Sequence, residues 1–436
     1  MKLQDSACRN DIEKMPVKYE AGIEGGNDLK IIDGGVNAAK GYKVASVRAG
    51  LKESSTKKDM ALIKSDVPAT VVGTFTKNLV KAAPVKWDSN IVYNVKKAQA
   101  VIVNTAVANA ATGEEGLANC KIEAEKVGEL LGIPAEYVLV GSTGVIGPQL
   151  PMDTILKGAE MLAPLLSDDR AEAHEAAVAI MTTDTQPKEI AVEYEAGGKI
   201  CTIGAMCKGS GMIHPNMGTM LGYIMTDTAI DYDIALKTLR EVIEVTFNMV
   251  SVDGDTSTND TVLLMANGLA GNETITAEGE DLANFKEALT EVATFLAKNI
   301  AKDGEGATRL FTAHVVGAPD YETAKVLAKS VITSNLTKAA IFGKDANCGR
   351  LFCAMGYSGA DFDPDKTDIT ITSKNGTIKF VENGAFLDFS EEEALNVLEP
   401  DEITAICDIK SGSFEATAWG CDLTYDYVKI NADYRS

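Results

Sequence analysis

Residues Lys208 to Asp227 read K-G-S-G-M-I-H-P-N-M-G-T-M-L-G-Y-I-M-T-D. The first half of this stretch is rich in glycine and proline, which interrupt both helices and strands. The second half, from Thr219 onward, is an apolar run of the length expected for a buried strand. Thr219 therefore lies at a junction, with Gly218 before it and a predicted strand after it.

A threonine at such a junction can serve as an N-terminal nucleophile. The hydroxyl alone is a poor nucleophile at neutral pH and must be activated by a base. Cleavage between Gly218 and Thr219 would give Thr219 a free α-amine with a pKa of about 8, so that one residue supplies both nucleophile and base. From the residue types alone, an ordinary loop-to-strand junction is the more frequent alternative, and it stays open at this point.

Composition excludes several classes of protein. The chain has 436 residues, is 45% apolar and carries a net charge of −22, which argues against a nucleic-acid partner because phosphate backbones are bound by clusters of Lys and Arg. No apolar run approaches the ~20 residues of a membrane helix, and the first residues lack the apolar core of a signal peptide. With only three histidines and no C-x-x-C pair, no metal site is expected. We therefore expect a cytoplasmic protein with no membrane or nucleic-acid partner.

The stretch around Thr219 resembles the processing site of the ornithine acetyltransferase family, also called the glutamate N-acetyltransferase or ArgJ family. Similar segments continue from Gly34 to the last residue. The resemblance implies that the precursor cleaves itself between Gly218 and Thr219 into chains 1–218 and 219–436. It also implies that Thr219 is the catalytic nucleophile and carries the acetyl group.

A second glycine-rich turn follows the predicted strand in Y-V-L-V-G-S-T-G-V-I-G, from Tyr137 to Gly147. Such turns often bind phosphates, but neither the G-x-G-x-x-G pattern of dinucleotide sites nor a Walker lysine is present. From the residues alone a structural turn is the more frequent alternative. The family resemblance assigns Thr143 and Gly144 to the oxyanion hole.

The resemblance also supplies candidate substrate-binding residues from distant parts of the chain. These are Thr182, Lys208, Thr219, Glu305, Asn431 and Ser436. Without the resemblance, Glu305 would be taken as a solvated carboxylate in a glycine-rich loop. Ser436 would be taken as part of a frayed terminus.

Three positions depart from the family pattern. Ala106 and Val107 stand where the family usually has glycine and asparagine, and Cys348 stands where it usually has tryptophan. These departures keep a non-catalytic relative open as an alternative.

The run from Ser251 to Asp260 is rich in side-chain oxygens, which is also typical of calcium-binding loops. Its spacing does not fit a calcium loop, so we interpret it as a hydrogen-bonded turn.

Periodicity and turn residues predict a mixture of helices and strands. Hairpins are predicted at Ala196-Gly197-Gly198 and at Asn375-Gly376. The other predicted elements are strands at Met60–Lys64 and Ala98–Asn104, a strand pair around Lys410–Ser413, and helices at Met152–Ser167, Asp168–Met181, Tyr232–Met249 and Glu278–Ala301.

The fold class predicted from this pattern is α+β, because hairpins imply antiparallel sheet and no regular βαβ alternation is present. The resemblance implies a layered helix–sheet–sheet–helix catalytic domain of the N-terminal-nucleophile type, with a smaller α/β C-terminal domain. We predict an extension over residues 1–32, the catalytic domain over 33–300 and the C-terminal domain over 301–436.

The activity implied by the resemblance is transfer of an acetyl group from N-acetylornithine to glutamate by a ping-pong mechanism. The two cleaved chains are expected to assemble as a heterotetramer, and no cofactor is expected. The sequence leaves open whether acetyl-CoA is a further acetyl donor. An amidase or aminopeptidase on a related self-processing scaffold is the alternative enzyme class.

Overall fold

The computed structural model describes residues 29–52, 56–214 and 220–433. The strands are β1 (Lys30–Ile32), β2 (Tyr42–Val47), β3 (Met60–Phe75), β4 (Lys97–Asn104), β5 (Val138–Ser142), β6 (Lys188–Ala196), β7 (Lys199–Lys208), β8 (Leu221–Thr226), β9 (Thr261–Ala266), β10 (Leu310–Ala318), β11 (Asp368–Ser373), β12 (Gly376–Glu382), β13 (Ala385–Phe386), β14 (Glu402–Asp408) and β15 (Phe414–Cys421). The helices are α1 (Ala83–Asn90), α2 (Gly113–Leu131), α3 (Met152–Leu162), α4 (Arg170–Ala179), α5 (Tyr232–Val245), α6 (Glu280–Lys302), α7 (Tyr321–Thr333), α8 (Asn335–Gly343), α9 (Cys348–Gly356), α10 (Glu391–Leu398) and α11 (Tyr425–Ala432). A π-helical segment covers Ile91–Val95, and short 3₁₀ segments cover Ala135–Tyr137, Ala163–Leu165, Phe247–Met249 and Pro364–Lys366.

The first sheet has the strand order β1-β6-β7-β8-β9-β3-β4-β5, with β2 also paired to β3. Strand β3 is much longer than the predicted strand Met60–Lys64. Its first part pairs with β4, its last part pairs with β9, and the register shifts between Lys64 and Ala69. Pro68 lies within this irregular part, where its missing N–H interrupts no ladder hydrogen bond. The predicted strand was therefore too short, because β3 continues through Pro68 to Phe75.

The long strand allows the sheet to fold over so that its two halves face each other. Side chains alternate along β8, and Leu221, Tyr223 and Met225 all belong to the inner core. The same core contains Val101 of β4 and Leu139 of β5, which come from the other half of the sheet. The interior is thus a sandwich of two sheet layers.

Helices cover both outer faces of this sandwich. On one side, α2 packs against β5, and α3 packs against β2 and β3. Side chains such as Val127, Ile155 and Val140 belong to this one core. On the other side, α5 packs against β3, and α6 packs against β6 and β7. The predicted α+β fold with its helix–sheet–sheet–helix layers is confirmed.

The second sheet has the order β13-β12-β11-β14-β10-β15 and shares an apolar core with α6 and α7. The prediction of a strand pair around Lys410–Ser413 was wrong in its pairing. Strands β14 and β15 do flank that segment, but β10 lies between them, parallel to β14 and antiparallel to β15. Strands β14 and β15 are consecutive in the sequence but are not paired with each other, because β10, which comes about one hundred residues earlier, lies between them.

Both predicted glycine hairpins are present, since β6 pairs with β7 and β11 pairs with β12. Gly197 and Gly198 have φ of +57° and +66°, which is the backbone conformation that a two-residue hairpin turn requires.

The predicted helices are present, but their ends are shifted. Helix α3 ends at Leu162, before a 3₁₀ segment that contains Pro164, because proline cannot donate the next helical hydrogen bond.

The predicted domain division at residue 300 stays a prediction. Lys30–Ile32, at the end of the predicted extension, forms β1 and pairs with β6. Among the described residues, none of the helices combines the length and the apolar content needed to span a bilayer.

Candidate active site

The first strand residues after the predicted cleavage site lie in the middle of the first sheet. Leu221 pairs with Lys208 of β7 on one side and with Thr261 of β9 on the other. The Met220 carbonyl oxygen accepts a hydrogen bond from the Thr261 N–H at 2.9 Å. Gly218 and Thr219, the predicted cleavage pair, lie outside the described residues, and so does Ser436.

The turn that carries Thr143 and Gly144 follows directly after β5. Its backbone is fixed by the Thr143 N–H, which donates to the Asn104 carbonyl at 3.0 Å, and by the Val145 N–H, which donates to the Ala106 carbonyl at 3.0 Å. Gly144 has a φ of +133°, and a Cβ at this position would lie 2.2 Å from the Ala106 carbonyl carbon. Only glycine fits here, because any side chain would clash with the backbone.

Asn259 brings the end of β5 and the start of β8 to the same end of the sandwich. Its side-chain amide donates to the Ser142 carbonyl at 2.8 Å and to the Ala108 carbonyl at 2.6 Å. Asn259 lies two residues before Thr261, the partner of Leu221. The predicted oxyanion turn and the start of β8 are therefore neighbours.

The departures at Ala106 and Val107 leave the backbone hydrogen bonds of this region in place. The Ala106 carbonyl accepts from Val145, and Val107 forms a parallel bridge with Val145. Ala106 itself has a φ of +72°, a conformation that favours glycine, the usual family residue. Alanine at position 106 therefore introduces backbone strain, while the backbone hydrogen bonds of the turn are present.

A buried carboxylate, Asp184, connects two predicted substrate-binding residues. Its side chain accepts from the Thr182 N–H at 3.1 Å and from the Gly209 N–H, next to Lys208, at 2.7 Å. Burial alone would raise the pKa of Asp184, but the ammonium groups of Lys188 and Lys208 hold that pKa well below its usual range. Asp184 is thus a charged anchor for the loop and for the end of β7.

Lys188 completes this anchor from β6. Its buried ammonium group lies 2.8 Å from Asp184 and 2.6 Å from Asp303. Asp303 precedes Glu305 by two residues, so the same cation ties the Thr182 loop to the Glu305 loop. Sequence reasoning missed this network, although the spacing of four residues between Asp184 and Lys188 and the proximity of Asp303 to Glu305 were available as signals.

Glu305 and Asn431 meet although 126 positions separate them in the sequence. The Asn431 side-chain amide on α11 donates to the Glu305 carboxylate at 2.7 Å. The Glu305 N–H donates to the Ser210 carbonyl at 2.8 Å, and a Cβ at Gly211 would lie 2.2 Å from the Glu305 carboxylate carbon. Glu305 therefore lies directly against the segment that follows Lys208.

Asp253 holds the segment that leads toward residue 214. Its carboxylate accepts from the Met212 N–H at 2.7 Å and from the Ile213 N–H at 2.9 Å. The Tyr427 hydroxyl of α11 donates to the same carboxylate at 3.3 Å. The run from Ser251 to Asp260 is thus the hydrogen-bonded turn that the sequence indicated.

Within residues 29–52, 56–214 and 220–433, no group of acidic, His or Cys side chains is arranged to hold a metal ion.

His214 and Cys348 are two residues noted in the sequence that are not among the predicted catalytic residues. Burial, together with the nearby Lys329 ammonium, lowers the pKa of His214 to about 4, and its Nδ1 lies 3.1 Å from the Ser251 hydroxyl. Cys348 begins α9 and is buried in the core shared with the second sheet. The departure at Cys348 therefore concerns packing around α9.

Comparisons with known proteins agree with the resemblance seen in the sequence. The ArgJ family model matches residues 43–436. An arginine biosynthesis bifunctional protein ArgJ from Caldanaerobacter subterraneus subsp. tengcongensis is 49% identical over 408 residues, which cover 94% of this chain and 100% of that protein. The protein of the same name from Bacillus subtilis is 45% identical over 93% of this chain and 97% of its own length.

A solved chain of the arginine biosynthesis bifunctional protein ArgJ from Bacillus halodurans is 46% identical, with a TM-score of 0.47, and the match covers 49% of this chain and 99% of that chain. Because the family model covers nine-tenths of the sequence, from the first sheet through α11, the chain belongs to the ArgJ family.

Proposed function

We propose that this chain is an acetyltransferase of arginine biosynthesis that moves an acetyl group from N-acetylornithine to glutamate. The observation that carries the proposal is the ArgJ family match over residues 43–436. The arrangement of the described residues supports it, because segments from both halves of the chain meet at the start of β8. The substrates are small molecules, as expected for an enzyme of this family.

In the proposed mechanism, Thr219 is the nucleophile. Thr219 is joined to Met220, whose carbonyl is hydrogen-bonded beside the oxyanion turn. The Thr219 hydroxyl attacks the acetyl carbonyl of N-acetylornithine, and the Thr219 α-amine accepts the hydroxyl proton. The C–N bond then breaks, ornithine leaves with that proton, and an acetyl ester remains on Thr219. The glutamate amine attacks this ester in the reverse sequence.

The proposed oxyanion donors can be specified from the hydrogen bonds of the turn. The Thr143 N–H is already bonded to the Asn104 carbonyl. Within the described residues, the Thr143 hydroxyl and the Gly144 N–H have no hydrogen-bond partner. The backbone of the turn fixes the direction of the Gly144 N–H, and the Thr143 hydroxyl is carried on the same turn. Donors held in place before the reaction are what stabilises charge that develops in the transition state.

Charges of both signs suit the ends of an amino acid. Lys208 is proposed to bind the α-carboxylate of the substrate, and Glu305, oriented by Asn431, is proposed to bind its α-amine. Thr182 and the terminal Ser436 complete the proposed substrate-binding set. The burial of Lys208 and Glu305, with 9% and 8% of their surfaces exposed, supports a recognition role over a role in solubility.

Self-cleavage between Gly218 and Thr219 would give chains 1–218 and 219–436. Strand β8 pairs with β7 of the first chain and β9 of the second, so both products would remain in one sheet. We further propose a heterotetramer of these chains in the cytoplasm, catalysis without a cofactor or metal, and acetyl-CoA as a second acetyl donor.

Mass spectrometry and a coupled assay test the proposal. Purified protein should contain a chain that begins at Thr219, and brief incubation with N-acetylornithine should add one acetyl group to that chain. Ornithine release should depend on glutamate. Release that proceeds at the same rate without glutamate would identify the amidase or aminopeptidase alternative, and an uncleaved, inactive chain would identify the non-catalytic alternative.

A further inference from the structure

Asn259 is a buried carboxamide whose nitrogen is shared between two segments of the candidate site. Its surface is only 7% exposed, and its side-chain nitrogen donates to the Ser142 carbonyl at 2.8 Å and to the Ala108 carbonyl at 2.6 Å. Ser142 directly precedes Thr143 in the sequence. A carboxamide nitrogen carries two N–H donors, so Asn259 uses its full donating capacity on backbone carbonyls.

The hydroxyl of Thr258 completes this arrangement. It donates to the side-chain oxygen of Asn259 at 2.6 Å. Because the two backbone carbonyls can only accept, the nitrogen of the amide must face them, and its oxygen must face the hydroxyl. A carboxylate in the same place would put an oxygen against both carbonyls. The contact therefore requires an amide and excludes an acid of the same shape.

The two segments that Asn259 contacts form one hydrogen-bonded unit, which comprises residues 104–110 and 142–147. The Ser142 hydroxyl donates to the Asn104 side-chain oxygen at 2.7 Å, and several backbone hydrogen bonds join the rest of the two segments. Asn259 donates to each segment once. A shift of this side chain would therefore displace the unit as a whole.

The other side of Asn259 is connected to the strand that follows the proposed nucleophile. Asn259 lies two residues before Thr261, the first residue of β9. The Thr261 N–H donates to the carbonyl of Met220, which is joined to Thr219. Strands β3 and β4 lie between β9 and β5 in the first sheet, so the route through the sheet is long. The Asn259 side chain is a direct connection between the same two places.

We propose that Asn259 is a positioning residue that sets the distance between Thr219 and the oxyanion donors of the turn. The inference rests on the proposed function. Asn259 acts through the backbone of the turn, and the reacting groups are those of Thr219, Thr143 and Gly144. Oxyanion donors must lie within hydrogen-bond distance of the atom where charge develops, and a misplacement of about 1 Å can cost about 100-fold in rate.

The first test is Asn259→Asp, which keeps the shape of the side chain but replaces the donating nitrogen by an oxygen. Repulsion from the two carbonyls should displace the turn. For transfer from N-acetylornithine to glutamate, kcat should fall about tenfold to 100-fold, while KM changes less than about threefold. A kcat equal to that of the wild-type protein would overturn the proposal.

Asn272→Asp is the matched control. Asn272 is 8% exposed, and its side-chain nitrogen also donates to two backbone carbonyls, those of Ala229 at 3.2 Å and Glu273 at 2.8 Å. It follows the last residue of β9, whereas Asn259 precedes the first. Asn272→Asp should lower the free energy of unfolding in the same way but keep kcat within about twofold. An equal loss of kcat in both variants would show a general effect of instability and overturn the proposal.

A double-mutant cycle with Thr143→Ala separates positioning from a structural role. If Asn259 acts through the oxyanion donors, Asn259→Asp should lower kcat by only about threefold in the Thr143→Ala background, because one of the positioned donors is already absent. An undiminished effect in that background would show that Asn259 does not act through the turn.

Thr258 provides a milder pair of variants that leaves the amide in place. Thr258→Val removes the hydroxyl that orients the amide and should lower kcat about threefold to tenfold, whereas Thr258→Ser should restore it. This pair decides the question if mass spectrometry shows that Asn259→Asp remains uncleaved, and equal kcat in the two variants would overturn the proposal. Failure of the proposed function is distinct, because it would appear as absent transfer in the wild-type protein or as unchanged kcat in Thr143→Ala.

Discussion

The turn that carries Thr143 and Gly144 is held by backbone hydrogen bonds, whereas the loop that carries Thr182 is held by buried charges. In the turn, carbonyl oxygens of Asn104 and Ala106 fix the chain. In the loop, Asp184 and Lys188 do so, with Asp303 as the second carboxylate. The candidate site therefore has a neutral half and a charged half.

This difference indicates what each half does. Fixed neutral donors stabilise charge that appears only during reaction, so changes in the turn should affect kcat. Charged side chains bind groups that are charged throughout, so changes in the loop should affect substrate affinity and, because the ions are buried, stability. The predictions below test this division in order of decreasing effect.

The largest effect is expected for Lys188→Met. Removal of the ammonium group leaves Asp184 and Asp303 without their shared cation, and Asp184 is fully buried. Breaking a buried ion pair by removing one partner costs about 3–5 kcal/mol. Urea denaturation should show a loss of this size in the free energy of unfolding.

The matched control is Lys199→Met on the neighbouring strand β7, where the lysine is exposed. It should change the free energy of unfolding by less than about 0.5 kcal/mol. If the two variants are equally stable, the charged network does not hold the loop.

Thr143→Ala should reduce kcat about 100-fold with a much smaller change in KM. The hydroxyl is one of two proposed oxyanion donors, and loss of one such donor costs roughly 2.7 kcal/mol or more in the transition state. Steady-state kinetics with N-acetylornithine measure the effect. Thr143→Ser keeps the hydroxyl and should retain most of the activity, whereas a Thr143→Ala enzyme with normal kcat would exclude this role.

A third carboxylate sharpens the comparison because it is buried without a cation. Glu123 on α2 is completely buried, and in the described residues neither carboxylate oxygen has a hydrogen-bond partner. Burial raises the pKa of Glu123 from an ordinary value of 4.5 to about 8. Where Asp184 is kept charged by lysines, Glu123 is neutralised by a proton.

This proton makes stability depend on pH. The folded protein holds it up to about pH 8, whereas the unfolded chain releases it near 4.5, so folding takes up a proton between these values and stability falls as pH rises. The contribution is about 1.4 kcal/mol per pH unit. Glu123→Gln should remove this slope in urea denaturations at pH 6 and 7.

The neighbouring acid Asp88 must be considered in this measurement. Burial raises the pKa of Asp88 as well, and burial and Glu123 both raise that of Cys120. Any pH dependence of the free energy of unfolding that remains in Glu123→Gln is assigned to Asp88. Glu129→Gln, an exposed change on the same helix, is the control, and equal slopes in both variants would contradict the assignment.

The sequence predicted those parts of the fold that depend on local signals. The turns at Gly197-Gly198 and Asn375-Gly376 follow from glycine and asparagine at hairpin positions. The course of β3 through Pro68 could not be predicted, because it depends on which strands lie beside each part of it. The insertion of β10 between β14 and β15 is equally non-local.

The candidate site was predicted mainly through family resemblance. Residue types alone favoured a structural turn at Thr143 and a solvated position for Glu305. The structure adds the contact between Glu305 and Asn431, and it adds the ion pair between Lys188 and Asp303, which are 115 positions apart in the sequence. Long-range charge pairing is thus the part of the site that sequence patterns leave out.

The smallest expected effect concerns strain in the neutral half of the site, tested by Ala106→Gly. A non-glycine residue at positive φ costs about 1–2 kcal/mol, and the greater backbone entropy of glycine offsets roughly 0.5–1 kcal/mol of the relief. Ala106→Gly should therefore raise the free energy of unfolding by about 0.5–1 kcal/mol. Ala111 has a φ of +58° in the same segment, so Ala111→Gly should give a similar gain, whereas Ala108→Gly, without a positive φ, should lose stability. Because Ala106 only shapes the turn, kcat/KM should change less than twofold. A loss of stability in Ala106→Gly would show that the alanine is packed rather than strained.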